Sequence, residues 1–215
     1  MAASGRRGVD PVNPYIDPMT EVEIGDRVEF RPFTYIGCPP LFVNGATARV
    51  SYHENIVRIG DDTKVASHVT IYRDVVIGKN CLIGTGATIR EGARIGDNCV
   101  IGEGVEVSYE VKIGNGVKVM SKTHVTGRTR IGDGSFVGVN VTMSNDRHIN
   151  LNDYHFPDKE CRGPQIGRKV MVGSGANLVA GISIGDGALI ASGALVVKDV
   201  AAGVVVKGPV ARAGE

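Results

Sequence analysis

From Ile59 to Met143 every sixth residue is Ile, Val or Met: Ile59, Val65, Ile71, Ile77, Ile83, Ile89, Ile95, Ile101, Val107, Ile113, Val119, Val125, Ile131, Val137 and Met143. The same phase opens earlier at Ile24, Phe30 and Ile36, and returns at Ile166, Val172, Leu178, Ile184, Ile190 and Val196. Gly follows the apolar residue at many steps, as in Ile77-Gly78, Ile83-Gly84, Ile95-Gly96, Ile101-Gly102, Ile113-Gly114 and Ile131-Gly132. A helix repeats at 3.6 residues and a strand at 2, so a strict period of six belongs to neither. It is the period of a hexapeptide solenoid, whose repeats bury a core only by stacking.

Three hexapeptides close one triangular coil of about eighteen residues. Coils stack at roughly the 4.8 Å spacing of neighbouring strands. The period-six residue points inward, and the Gly after it suits a tight corner that calls for φ > 0. A second inward position four residues on holds small or β-branched residues, among them Thr63, Cys81, Ala87, Ala93, Cys99, Thr123, Thr129 and Ser135. The predicted fold is all-β: a left-handed parallel β-helix of hexapeptide repeats with two loop insertions, one domain over residues 1–215. Residues 1–10, small and basic, are expected to be disordered.

Composition narrows the function. A formal net charge of +1 gives no electrostatic case for nucleic acid. The sequence shows neither an apolar run of membrane-spanning length nor a signal peptide, which predicts a cytoplasmic protein away from membranes. Cys81 and Cys99 fall on inward positions one coil apart, and a reduced buried pair is expected there. Cys38 and Cys161 lie in the interruptions, and without a Cys-x-x-Cys no metal is expected.

The phase breaks twice, at about 37–57 and 144–165. A regular solenoid needs neither insertion, and loops on a rigid scaffold are where binding chemistry concentrates. The second carries the polar cluster Ser144-Asn145-Asp146-Arg147-His148. The first carries Leu41, Phe42, Val50 and Tyr52, which predict a hairpin that packs on a neighbour or covers a site. Of five His residues, His148 sits in the polar loop, and His124 should point outward between inward Thr123 and Val125. His68 and His53 read as surface residues, and His155 is open.

These residues carry a resemblance. The repeat looks like the hexapeptide acyltransferase superfamily over nearly the whole chain. Within it, Val141-Thr142-Met143-Ser144-Asn145-Asp146, the return at Ile166-Gly167, Ser174-Gly175-Ala176 and Val196-Val197-Lys198-Asp199-Val200 resemble nucleotide-sugar N-acetyltransferases of surface polysaccharide biosynthesis. Gly208-Pro209-Val210-Ala211-Arg212 resembles their carboxyl end, with Pro displaced by one. The amino-terminal third resembles acyl-carrier-protein-dependent UDP-N-acetylglucosamine acyltransferases instead, through Glu23-Ile24-Gly25-Asp26 and Val57-Arg58-Ile59-Gly60-Asp61. Those enzymes carry His-x-x-His, whose second His is the base; here His124 matches the first and Gly127 stands in place of the second.

The resemblance implies acyl transfer from a thioester to an amine, with acetyl-CoA as co-substrate and a nucleotide-linked amino sugar as acceptor. It implies a homotrimer with sites between subunits. A protonated amine must lose a proton before it attacks, and a near-neutral His suits that task. His148 and His124 are the candidate bases, with Asn145 and Asp146 as positioning groups. Backbone N–H groups around Gly173 and Ala176 would serve the thioester oxygen. The pantetheine arm would run along Ser174, Ala176, Ser192 and Ala194, with Lys198, Lys207 and Arg212 near the phosphates. Competing readings are a sugar O-acetyltransferase, a carrier-protein-dependent acyltransferase and a non-catalytic scaffold. A γ-class carbonic anhydrase of the same fold is disfavoured, because the expected spacing of its zinc-binding His residues is absent.

Overall fold

The computed structural model describes residues 13–41, 55–146 and 161–208. These residues form three parallel sheets of nine, eight and nine short strands. Successive strands fall on successive sheets, so each strand pairs with the equivalent strand of the next coil. Ile71 opposes Ile89, Ile89 opposes Val107, and Val107 opposes Val125. Face 1 includes Thr70–Tyr72, Thr88–Ile89, Glu106–Val107, His124–Val125 and Thr142–Met143. Face 2 includes Val75–Ile77, Arg94–Ile95, Lys112–Ile113, Arg130–Ile131 and Gln165–Ile166. Face 3 includes Leu82–Ile83, Val100–Ile101, Lys118–Val119, Phe136–Val137 and Met171–Val172. The expected left-handed parallel β-helix is the fold found.

The core is one column running the length of the prism, from Ile36 to Val200. Both inward positions of each hexad are buried, as at Ile89 and Ala93. Each buried Ile or Val stabilises the fold by about 1.5–3 kcal/mol relative to exposure. Inward polar residues donate to carbonyls of the next coil: Thr63 Oγ1 to Gly78 O at 2.9 Å and Thr123 Oγ1 to Gly138 O at 2.7 Å. Cys81 and Cys99 do the same, donating to Gly96 O at 3.2 Å and Gly114 O at 3.0 Å, and both are free thiols.

The expected role of Gly changes in one respect. The Gly directly after the inward residue is required by close stacking. A Cβ on Gly84 would lie 2.6 Å from both Glu103 N and Gly102 C of the next coil. The positive φ falls two residues later, as at Gly86 with φ +69°, where a Cβ would meet nothing within 4 Å. Asn and Asp share that turn position, as at Asn80 and Asn98. Between faces 2 and 3, Asp and Asn side chains also bind the coil below. Lys79 N donates to Asp97 Oδ1 at 2.9 Å, and Asp97 N to Asn115 Oδ1 at 2.8 Å.

The described boundaries differ modestly from expectation. A partial coil begins earlier, with Tyr15–Ile16 paired to Tyr35–Ile36. Ile24, expected inward, is 41% exposed because its coil is outermost. The strand Tyr35–Cys38 reaches into the first interruption, and Ile56–Ile59 resumes before its expected end. Residues 161–164 rejoin the solenoid before 165, with Arg130 N donating to Pro164 O at 3.1 Å. Leu41 is exposed. Phe42, Val50, Tyr52 and residues 1–10 lie outside the described residues, so the hairpin and disorder expectations fall there too.

The second insertion has a cost beneath it. Thr129 is fully buried, and its Oγ1 has no hydrogen-bond partner among the described residues. Thr63 and Thr123 use the carbonyl fifteen residues ahead; for Thr129 that residue is Ser144, where the chain leaves the coil. Thr129→Val should therefore be neutral or stabilise by up to about 1 kcal/mol, while Thr123→Val should destabilise by about 1–3 kcal/mol, since it orphans a buried carbonyl. Urea unfolding of both variants checks the contrast. The two corner glycines give a second one. Gly84→Ala forces adjacent coils apart and should lower the melting temperature well beyond Gly86→Ala, whose cost is the left-handed penalty of about 1–2 kcal/mol.

Candidate active site

Both insertions leave the prism at the same corner, where face 1 turns into face 2. The first follows Tyr35–Cys38 and the second follows Thr142–Met143. Four uninterrupted corners lie between them. At this corner the residue after the inward one is a side chain, not Gly: Ile71-Tyr72, Ile89-Arg90, Val107-Ser108 and Val125-Thr126. Arg90 Cζ lies 5.6 Å from the Tyr72 ring centroid and 5.8 Å from that of Tyr109, and Arg128 Cζ lies 5.9 Å from Tyr109. Each of these cations has an acid. Arg90 binds fully buried Glu91 at 2.7 Å, and Arg128 binds Glu110 at 2.7 Å. Burial pushes the phenols of Tyr72 and Tyr109 above their ordinary range.

On face 1 beside this corner stands His124. As expected it points outward, and its side chain is 39% exposed. Its rung neighbours are Glu106 below and Thr142 above. His124 Nδ1 lies 3.3 Å from Glu106 Oε2, and Ser108 Oγ donates to Glu106 Oε1 at 3.4 Å. The hydrogen bond to His124 holds the Glu106 carboxyl below its ordinary value, against the opposing effect of burial. Contact through Nδ1 orients the ring and leaves Nε2 as the available nitrogen.

The position three residues after His124 cannot hold a second His in this geometry. Gly127 is buried, and a Cβ there would lie 2.5 Å from Tyr109 Cζ. The Tyr109 ring occupies that space, and its hydroxyl accepts a hydrogen bond from Asn145 Nδ2 at 3.0 Å. Asn145 O in turn accepts from Arg162 N at 2.9 Å, which closes the base of the second insertion. Asn145 and Asp146 are half-buried at that base. The structure thus brings Asn145 to the His124 corner through Tyr109. His148 lies outside the described residues, as does Arg212.

The late-coil positions separate into two groups. Ala176 and Ala194 point into the core, while Ser174, Ser192, Lys198 and Lys207 are exposed. The N–H groups expected to meet a thioester oxygen are already engaged: Gly173 N donates to Ile190 O at 2.8 Å and Ala176 N to Gly173 O at 3.3 Å. A Cβ on Gly173 would lie 2.4 Å from Ser192 N, so the small residue there admits the next coil, not a ligand. Among the described residues, no three His, Cys, Asp or Glu side chains converge to hold a metal ion. No helix among them is long and apolar enough to cross a membrane.

The family profile described as bacterial transferase hexapeptide (six repeats) matches residues 74–108 and 110–145, and that of the hexapeptide repeat of succinyl-transferase matches 165–198. Over these residues the chain carries hexapeptide repeats of the bacterial transferase type. A Bacillus subtilis protein named as an acetyltransferase, YvoF, is 35% identical over 72 residues, which cover 34% of this chain and 42% of that protein. This chain therefore spans less than half of that curated relative. Among solved structures of the superfamily fold, the UDP-N-acetylglucosamine acyltransferase of Campylobacter jejuni has a TM-score of 0.63 at 16% identity, covering 90% of this chain and 71% of that one. The UDP-N-acetylglucosamine acyltransferase of Bacteroides fragilis has a TM-score of 0.56 at 23% identity, covering 90% and 68%. At these identities the likeness is one of fold.

Sequence reasoning missed Glu106, Ser108 and Tyr109. A partial signal was present in the run Ile71-Tyr72, Ile89-Arg90, Val107-Ser108 and Val125-Thr126, where no Gly follows the inward residue of every third hexad between the two insertions. Glu106 also gives a test of the contact with His124. Its pKa is lowered by folding, so it contributes stability above its ordinary value of 4.5 that is lost as pH falls through the lower folded value. Wild type should be more stable than Glu106→Gln at pH 6, and the difference should shrink as pH falls below 4.5 and be lost once it passes the lowered folded value. Thermal melts across that window check it.

Proposed function

We propose that the protein is an acetyl-CoA-dependent N-acetyltransferase acting on an amino group of a nucleotide-linked amino sugar, working as a homotrimer. The observation that carries this reading is the Ser108–Glu106–His124 array beside the base of the second insertion. A carboxylate-oriented imidazole with Nε2 open to solvent is a competent general base. In the reaction the amine nitrogen attacks the thioester carbonyl, with His124 Nε2 taking the amine proton. The new C–N bond forms, the C–S bond breaks, and the His124 imidazolium returns its proton to the departing thiolate. Asn145, held on Tyr109, and Asp146 would position the acceptor, and positioning alone supplies a large rate effect. His148 remains an alternative base from the same insertion.

Both solved relatives above are named as acting on UDP-N-acetylglucosamine, which supports a nucleotide-sugar acceptor. Exposed Ser174, Ser192, Lys198 and Lys207 would meet coenzyme A along the late coils. Self-association is supported by an exposed apolar row on face 3, where Met171, Leu189 and Val205 occupy consecutive rungs at 55%, 39% and 58% exposure. Transfer to a sugar hydroxyl is the second reading. The carboxylate behind His124 favours it, because a hydroxyl needs stronger base assistance than a neutral amine.

Thiol release from acetyl-CoA should occur with nucleotide-linked amino sugars and not with their hydroxyl counterparts. His124→Ala should lower kcat by about 10²–10⁴-fold with little change in melting temperature, and Glu106→Gln should lower it less. Steady-state kinetics with the sugar panel check this. Release with hydroxyl sugars alone would move the assignment to O-acetylation, and full activity in His124→Ala would move the base to another residue.

A further inference from the structure

Cations on the outer rungs of this prism are commonly paired with an acid one coil away. Arg58 meets Glu23 at 2.8 Å, Lys64 meets Glu29 at 3.3 Å, Arg128 meets Glu110 at 2.7 Å, and Arg168 meets Asp186 at 3.0 Å. This is expected of parallel ladders, where residues opposite one another interact and like charges destabilise.

The middle rungs of face 2 break the pattern. Arg94, Lys112 and Arg130 occupy three consecutive rungs. Arg94 is neutralised sideways by buried Asp74 at 2.5 Å. Lys112 and Arg130 are exposed and have no acid partner among the described residues. Their ladder neighbour beyond is the neutral Gln165. The nearby carboxylates of Asp97 and Asp133 each use one oxygen on a backbone N–H, from Lys79 and Asn115 respectively.

The same rungs line an open groove of about 460 Å³. Arg94, Lys112 and Arg130 border it, along with Gly96, Gly114 and Gly132. Those glycines are held by contact with the next coil, so the groove's polar side chains come from the cationic rungs and Asn115.

We propose that this groove is a diphosphate-binding seat. Two uncompensated cations stand about 4.8 Å apart along the ladder, within reach of two adjoining phosphoryl groups. Lys112 supplies a mobile point charge, and Arg130 supplies a fork that takes two phosphate oxygens. A bound dianion relieves the repulsion that the bare ladder carries. Two sources present this chemistry: the diphosphate of a nucleotide-linked acceptor and the pyrophosphate of coenzyme A. The choice between them rests on the acyl-transfer reading; the seat itself does not, and its test needs no turnover.

The experiment is calorimetric titration of the full chain with inorganic pyrophosphate at fixed moderate salt. Lys112→Met and Arg130→Met should each weaken binding by about tenfold, and the double variant more. Lys118→Met, an exposed lysine on face 3, should bind as wild type does. Displacement of pyrophosphate by UDP assigns the seat to the acceptor, and displacement by coenzyme A assigns it to the donor. Absence of pyrophosphate binding, full binding by the double variant, equal weakening in Lys118→Met, or failure of both nucleotides to displace overturns the proposal. Inactive protein that still binds pyrophosphate through Lys112 and Arg130 would sink the catalytic reading and leave the seat standing.

Discussion

The hydrogen bond from one coil to the next is the constraint on which the rest of the structure depends. Thr88 N donates to Val105 O and Glu106 N to Thr123 O, and the same offset recurs along the prism. Hydrophobic burial is non-directional and would tolerate a shifted stack. The backbone ladder does not, because a slip of one residue would turn the inward column outward. Once the register is fixed, every position lies above and below its equivalents. A choice of residue type therefore acts as a column: Gly at Gly96, Gly114 and Gly132, or the acceptor side chains of Asp97, Asn115 and Asp133.

The three corners use that register differently. After face 2, and on several rungs after face 3, the coils pack backbone to backbone through Gly, which leaves little room for other side chains. After face 1 the corner is built from side chains, and it holds buried Glu91 against Arg90 and the Tyr109 ring against Gly127. A buried ion pair is weak evidence for stability, since desolvation offsets much of the attraction. Removing one partner, by contrast, leaves an unpaired buried charge. The arrangement thus fixes where each group sits more than it stabilises the fold. Both insertions begin at this corner.

The fold was legible because one column of Ile, Val and Met has a single geometric explanation. The inward small residues, the outward direction of His124 and the two insertion sites followed from counting in sixes. Counting inward positions in sixes did not reveal contacts along the outward columns. Tyr109 reaches Gly127 and Asn145, which are eighteen and thirty-six residues ahead on the chain but on neighbouring coils. Glu106 reaches His124 for the same reason, and an eighteen-residue comparison of outward positions would have exposed that pair. The late-coil expectation went astray on a different point. Of the residues expected along the pantetheine arm, Ser174 and Ser192 are exposed, whereas Ala176 and Ala194 are inward residues.

A triangular prism offers flat faces and convex corners, so regular coils alone form no deep cleft. His124 illustrates the consequence: its carboxylate partner is in place, but its ring stands 39% exposed on an open face. Acyl transfer to an amine must compete with water for the same thioester, and electrostatic stabilisation weakens in a solvated site. A second surface has to close over face 1 for the array to work as proposed. The second insertion starts two residues beyond Thr142, the rung next to His124, and an apolar row on face 3 is available for another copy. In the proposed reaction the rigid coil would supply the position of the base, and enclosure would come from chain that is not coil or from a neighbouring prism. That division explains why the regular repeats read so clearly as fold while the chemistry gathers where the repeat is broken.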